Sequence, residues 1–253
     1  METSARYNYY LQTNALDPLS PQTSECLRQT AEHTTQELTV FLSFAEVDKL
    51  VGEHGWVMMQ RRVSDVYAIT ARRAVAANVI VDVVLVDFCA YSADDMAIYA
   101  NTTTLADTSG GTFDHIHLGH KILLTAAALT ATQKLTIGVS AEALLAKKKF
   151  KDYLEPYRVR EMNVLLFLRK IRKDIIFELV PIYDIYGPTI VDASIGALVV
   201  SQETVVGCEV LNERRAERGM PPMQILAVDL VSAGGTDKLS STAIREALFE
   251  KAG

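Results

Sequence analysis

The residues best suited to chemistry lie in one stretch, Gly110-Gly111-Thr112-Phe113-Asp114-His115-Ile116-His117-Leu118-Gly119-His120. The chain has five histidines, and three of them fall here. A glycine pair lets the backbone come close to a ligand. The apolar run Ile122-Leu123-Leu124 that follows reads as a helix, and the free N–H groups and dipole of a helix start favour an anion. His117 and His120 are three apart, so a helical turn puts them on one face within reach of one polyphosphate. Both would gain a proton more readily beside an anion. Thr112 brings a hydroxyl and a backbone N–H that suit a phosphate oxygen. Asp114 cannot help as a bare anion facing phosphate, so its expected role is to cap the loop or to orient a histidine.

Two further clusters carry polar chemistry. Lys147-Lys148-Lys149, with Lys151, follows a short apolar segment. Near the end of the sequence stands Lys238-Leu239-Ser240-Ser241-Thr242-Ala243-Ile244-Arg245. Hydroxyl residues at such a position are ordinary helix N-caps.

The elements that must position these residues alternate. After the histidines, the pattern predicts a helix over about 119–130 and a strand over 135–139. A helix over about 155–172 follows, with Val159, Met162, Leu166 and Ile171 turned inward. Strands are predicted at 176–182, 197–201 and 225–231, with helices at 203–218 and from about 241. Gly219 with Pro221 and Pro222 ends the 203–218 helix. Such alternation implies an α/β fold with a parallel sheet covered on both faces. Ligands of these sheets bind beyond the carboxyl ends of the strands, at the switch point, where the glycine–histidine loop belongs. Residues 1–104 read as a separate αβ region without a motif and without a legible role. Helices are predicted there at 18–36, 44–54 and 66–77, and strands at 38–44 and 79–88.

Composition narrows the class. The chain has 253 residues, 49% of them hydrophobic, enough for a substantial core. No uninterrupted apolar run reaches the length of a membrane span, and no secretory or transit pattern opens the sequence, so a soluble cytoplasmic protein is expected. Cys26, Cys89 and Cys208 are widely spaced, which indicates neither a zinc site nor a redox pair. The net charge of −6 sits unevenly: residues 1–104 hold 13 acidic and 7 basic side chains, and residues 105–253 hold 18 of each. An acidic chain without a basic stripe is not expected to bind nucleic acid.

Gly-Thr-Phe-Asp followed by His-x-Gly-His resembles the signature of the nucleotidylyltransferase superfamily, whose fold is a Rossmann-like doubly wound parallel sheet. Ser240-Ser241-Thr242-Ala243-Ile244-Arg245 resembles its second motif. Asp184-Ile185-Tyr186-Gly187-Pro188-Thr189, Ser201-Gln202-Glu203-Thr204 with Gly207, Asn212 and Arg215, and the segment 147–156 are similar to the eukaryotic and archaeal type of phosphopantetheine adenylyltransferase. The resemblance covers about residues 108–250, within a domain expected at 105–253. It implies ATP and 4′-phosphopantetheine as substrates, dephospho-coenzyme A and pyrophosphate as products, and Mg2+ accompanying ATP.

It also implies roles. His117, His120 and Lys148 are expected to be catalytic, with Lys148 chosen over Lys147 and Lys149 for the acceptor phosphate. Gly111, Thr112, Phe113, Asp114, Gly119, Ser240, Ser241, Thr242 and Arg245 are expected around the ATP phosphates, with Glu203, Asn212 and Arg215 on the adenine and phosphate side. Thr112, Asp184, Tyr186 and Gly187 are expected toward phosphopantetheine. Two alternatives are a cytidylyltransferase acting on a phospho-alcohol and a catalytically weak scaffold subunit. The acidic N-terminal region is a candidate for docking onto other coenzyme A enzymes.

The sequence departs from the family in two ways. A central parallel strand should be nearly all apolar, yet the residues before Gly110, Thr102 to Ser109, are mostly polar. Either this strand is poorly matched, or Val79–Phe88 takes part in a rearranged way, or the segment is a translation or splicing artefact. The second departure is that no G-x-x-x-x-G-K-[ST] occurs, so a single activity is expected.

Overall fold

The structure is a computed structural model that describes residues 4–14, 17–45, 52–76, 79–85, 106–228 and 240–252. These fall into two compact units, with the described residues up to 85 in the first and those from 106 onward in the second.

The first unit runs β1 (Ser4–Asn14), α1 (Pro21–His33), β2 (Thr34–Ala45), α2 (Gly52–Ala76) and β3 (Ile80–Leu85). Its sheet has the order β1-β2-β3, and both pairings are parallel. Ser20 caps α1 by accepting from the Thr23 N–H at 3.0 Å, and Pro21 occupies the first turn. β2 buries alternate residues, among them Leu38, Val40, Leu42 and Phe44. Three expectations change here. β1 is an unpredicted strand, although Tyr7, Tyr9, Leu11 and Thr13 alternate inward along it. Phe44 and Ala45 belong to β2 rather than to a helix over 44–54, whose residues 46–51 lie outside the described set. The helix expected at 66–77 is the second half of the 25-residue α2.

The second unit runs β4 (Ala106–Gly111), α3 (Leu118–Thr130), β5 (Lys134–Ser140), a short α4 (Glu142–Leu145), α5 (Tyr157–Ile171), β6 (Ile176–Ile182), β7 (Ile195–Ser201), α6 (Glu209–Glu217), β8 (Gln224–Val228) and α7 (Ser241–Ala252). The sheet order is β6-β5-β4-β7-β8, and all strands are parallel. The order reverses at β4, so the switch point lies beyond the carboxyl ends of β4 and β7. This is the α/β doubly wound arrangement expected from the alternation.

Of the polar segment before Gly110, residues 106–109 form part of the central strand, and residues 102–105 lie outside the described set. Ala106–Gly111 pairs with Lys134–Val139 on one side, and Ala106, Asp107 and Thr108 pair with β7 on the other. The ladder is a backbone interaction, and β5 and β7 supply the buried Leu135, Ile137, Val139, Ile195, Ala197 and Val199 around it. Val79–Phe88 does not substitute for it: Ile80–Leu85 pairs with β2 in the other sheet, and residues 86–88 lie outside the described set.

Two helices differ from the periodic reading. In α5 the inward row is Arg160, Val164, Phe167, Leu168 and Ile171, whereas Val159, Met162 and Leu166 are exposed at 41%, 53% and 54%. The apolar stripe misled because the helix turns a charged residue, Arg160, inward. The helix expected over 203–218 is broken. Gln202–Gly207 is a 3-10 turn and α6 begins at Glu209, since Val205-Val206-Gly207 disfavours a continuous helix. Gly219, at φ 69°, closes α6 in the left-handed region with the bond from the Met220 N–H to the Arg215 carbonyl.

Candidate active site

The site is built at the carboxyl end of β4. Gly110 lies in register with Gly138 of β5. A Cβ on Gly138 would stand 2.8 Å from the Ile182 side chain, so the absence of side chains lets Ile182 lie across the top of the sheet. Gly187, at φ 52°, is pressed against the same side chain, where a Cβ would stand 2.6 Å away. Ile182 therefore joins the loop holding Asp184, Tyr186 and Gly187 to the end of β4. Asp184 accepts from the Tyr186 and Gly187 N–H groups, both at 2.8 Å, and so shapes that loop. Ile182 was not singled out from sequence, since one isoleucine in an apolar strand carries no signal.

After β4 the chain makes a strained turn. Phe113 and His115 have φ values of 50° and 46°, a region that non-glycine residues rarely adopt. Phe113 and Asp114 are fully buried. The buried Asp114 carboxylate pairs with the buried Arg245 guanidinium. Ser241 donates from its hydroxyl to the Asp114 carbonyl at 2.8 Å. Asp114 and the start of α7 thus fasten together the two motifs that the sequence sets more than a hundred residues apart.

His117 takes the N-cap position of α3, and no side chain caps that helix. The His117 and His120 rings stack, with centroids 3.9 Å apart, and the Phe113 ring lies 5.3 Å from His120. Both Nδ1 atoms are buried without a hydrogen-bond partner, an arrangement that asks for a ligand. Burial lowers the His117 pKa to about 4, with Asp114 opposing the shift. Burial pushes His120 well below its ordinary value, and His117 adds to this. Both rings are therefore neutral at pH 7, able to donate one N–H each toward a phosphate oxygen. Gly111, Thr112 and Gly119, which flank these rings in the chain, are half-buried.

The remaining residues divide. Lys147, Lys148 and Lys149 are all exposed, and Lys148 borders an open hollow of about 710 Å3 with Phe150, Lys151, Asp152, Tyr153 and Phe249. Ser240 caps α7 by accepting from the Ala243 N–H at 3.2 Å. Thr242 accepts from Arg245 at 3.2 Å, and Arg245 also donates to the Lys149 carbonyl at 3.1 Å. All three Arg245 nitrogens thus face the protein. The same is true of two residues expected near phosphate. Arg215 donates to the carbonyls of Pro221, Thr189, Asp192 and Ile195. Asn212 exchanges both bonds with the Met223 backbone, at 2.9 and 2.8 Å. Four of the five Arg215 N–H donors are thus spent on backbone carbonyls, and both residues brace the chain around β7 and α6. Glu203 lies on the exposed turn after β7.

The sequence assigns no role to two residues that touch the loop, although one of them, Glu155, lies in the 147–156 segment. Glu155 accepts from the His115 N–H at 2.6 Å, and its own N–H donates to Asp114 at 2.8 Å. Arg160, fully buried, donates to the Thr112 carbonyl at 2.7 Å and to the Glu155 carbonyl at 3.0 Å. Among the described residues, no group of three or more His, Cys, Asp or Glu side chains could hold a metal ion, and no helix is long and apolar enough to cross a membrane.

Known proteins are similar to this chain in sequence. The sequence matches the cytidylyltransferase-like family over residues 108–247. It is 44% identical over 147 residues to the phosphopantetheine adenylyltransferase of Saccharomyces cerevisiae, covering 56% of this chain and 48% of that one. It is 37% identical over 136 residues to the phosphopantetheine adenylyltransferase of Methanopyrus kandleri, covering 54% of this chain and 85% of that one. The chain therefore spans about half the length of the yeast relative and most of the archaeal one. The protein of Thermococcus gammatolerans with the same name is 33% identical over 144 residues, 57% of this chain and 89% of its own. From the glycine turn through the second motif, the chain belongs to the cytidylyltransferase-like family and is a relative of the yeast and archaeal phosphopantetheine adenylyltransferases.

Proposed function

We propose that the chain transfers the adenylyl group of ATP to 4′-phosphopantetheine, giving dephospho-coenzyme A and pyrophosphate in coenzyme A biosynthesis. The observation that carries this reading is the stacked pair His117–His120, with buried unpartnered Nδ1 atoms at the uncapped start of α3. The names of the relatives specify the nucleotide and the acceptor.

An oxygen of the phosphopantetheine phosphate attacks the α-phosphorus in line. The new O–P bond forms as the bond from the α-phosphorus to the bridging oxygen breaks, and pyrophosphate leaves with the electron pair. No protein nucleophile is needed, so the chain's contribution is position and charge. His117 and His120 hold N–H donors on the α- and β-phosphates. Thr112 and the first N–H groups of α3 meet a phosphate oxygen. Lys148 reaches the acceptor phosphate. Mg2+ enters with ATP as part of the substrate and offsets the charge of the leaving pyrophosphate. Asp184, Tyr186 and Gly187, held beside β4 by Ile182, face the pantetheine end. A cytoplasmic setting and docking onto other enzymes of the pathway belong to the same reading.

Product identification by mass spectrometry tests it. The protein is given ATP or CTP with Mg2+, and either 4′-phosphopantetheine or phosphocholine. Dephospho-coenzyme A from ATP is the expected product. A dominant CDP-alcohol would show a cytidylyltransferase, and ATP binding without any product would show a scaffold subunit.

A further inference from the structure

The turn that delivers His117 to its place is strained on both sides of Asp114, at Phe113 and His115. Such a backbone persists only where its surroundings hold it. Its two ends are held from one place. Thr112, just before the turn, is gripped through its carbonyl by Arg160, and His115, just after it, through its N–H by Glu155. Arg160 also holds the Glu155 carbonyl, and Asn163 steadies the Glu155 carboxylate by donating to it at 3.3 Å. The Tyr153 carbonyl, two residues before Glu155, lies 2.9 Å from the His115 ring. His117 is two residues beyond His115, so a change in the turn's geometry is passed directly to the ring stack.

We propose that Glu155 is a positioning residue: its carboxylate, braced by Asn163 while Arg160 holds its backbone carbonyl, fixes the strained turn and through it the rings of His117 and His120. It acts as an acceptor for one backbone N–H, not through its charge. This proposal rests on the adenylyl-transfer reading for its kinetic consequence and on geometry alone for its structural one.

The acceptor role gives a test that general support of the fold would not pass. Glu155→Ala leaves the His115 N–H without its partner. Glu155→Gln keeps an acceptor there, and the Asn163 amide can turn to accept from the new amide group. For the folded variants, Glu155→Ala is expected to lower kcat by about 10²-fold with a much smaller change in KM for ATP, the scale of a displaced reacting group. Glu155→Gln is expected to regain most of that loss. The imidazole NMR resonances of His117 and His120, in otherwise intact protein, are expected to move in Glu155→Ala and to stay near their wild-type positions in Glu155→Gln.

Unmoved resonances and unchanged kcat in Glu155→Ala would overturn the proposal. So would an equal fall in both variants, which would mean that charge is what counts. If Glu155→Ala does not fold, Asn163→Leu removes the brace and carries the same expectation for the resonances, and unmoved signals in it overturn the proposal. If the wild-type protein shows no turnover, the adenylyl-transfer reading fails, while the histidine resonances still decide the positioning role.

Discussion

His117 and His120 face opposing demands. Burial favours their neutral forms, lowering His117 to about 4 and His120 well below its ordinary value. A polyphosphate favours the charged forms. Neutral donors aimed at the place where charge develops serve the reaction without an ion that must first be desolvated. His120→Ala should lower kcat by about 10²–10³-fold, the usual loss for one such donor. A change confined to KM would make His120 a ground-state binder. The depressed pKa values also have a stability consequence. The unfolded chain takes up protons at the histidines near pH 6.5, and the folded chain resists until about pH 4 at His117. Their contribution is complete above pH 6.5 and is lost as pH falls toward 4. Urea unfolding across that range should show a shallower decline for the His117→Gln/His120→Gln variant than for the wild type. An identical slope would contradict the burial assigned to these rings.

At the scale of elements, the buried pair Asp114–Arg245 joins the loop after β4 to the start of α7. Arg245→Met should cost about 3–5 kcal/mol, since it leaves a buried carboxylate unpaired. Adding Asp114→Asn should recover part of that loss, and strictly additive effects would mean that the two side chains are not coupled. The helices and strands around the site were legible because the apolar pattern follows their periods, as in α3 and β5. The phase of α5 was not, because Arg160 is turned inward to reach the Thr112 and Glu155 carbonyls. The same physics hid Glu155: its partner is a backbone N–H forty residues away, and spacing cannot reveal such a partner. Arg215 and Asn212 were legible as special residues but not as braces, for the same reason. The polarity of the segment before Gly110 argued against a central strand, yet backbone pairing to apolar neighbours suffices there.

At the scale of the whole molecule, the site belongs to one of two compact units. The first has its own three-stranded parallel sheet and core, and the whole acidic excess lies in residues 1–104. A ligand that binds only folded protein stabilises the unit that holds its site by mass action. With Mg2+ and ATP at one hundred times the dissociation constant, calorimetry should show the second unit's unfolding stabilised by about 2.7 kcal/mol. An unmoved transition at that concentration would place ATP elsewhere than on this loop.

The central claim is a three-component reaction, and pyrophosphate release tests it most directly. Purified protein is given ATP, Mg2+ and 4′-phosphopantetheine, with each left out in turn and with CTP in place of ATP. The account predicts release that needs all three components and is weak with CTP. Release independent of phosphopantetheine, dominant release from CTP, or silence from folded protein that binds ATP would contradict it.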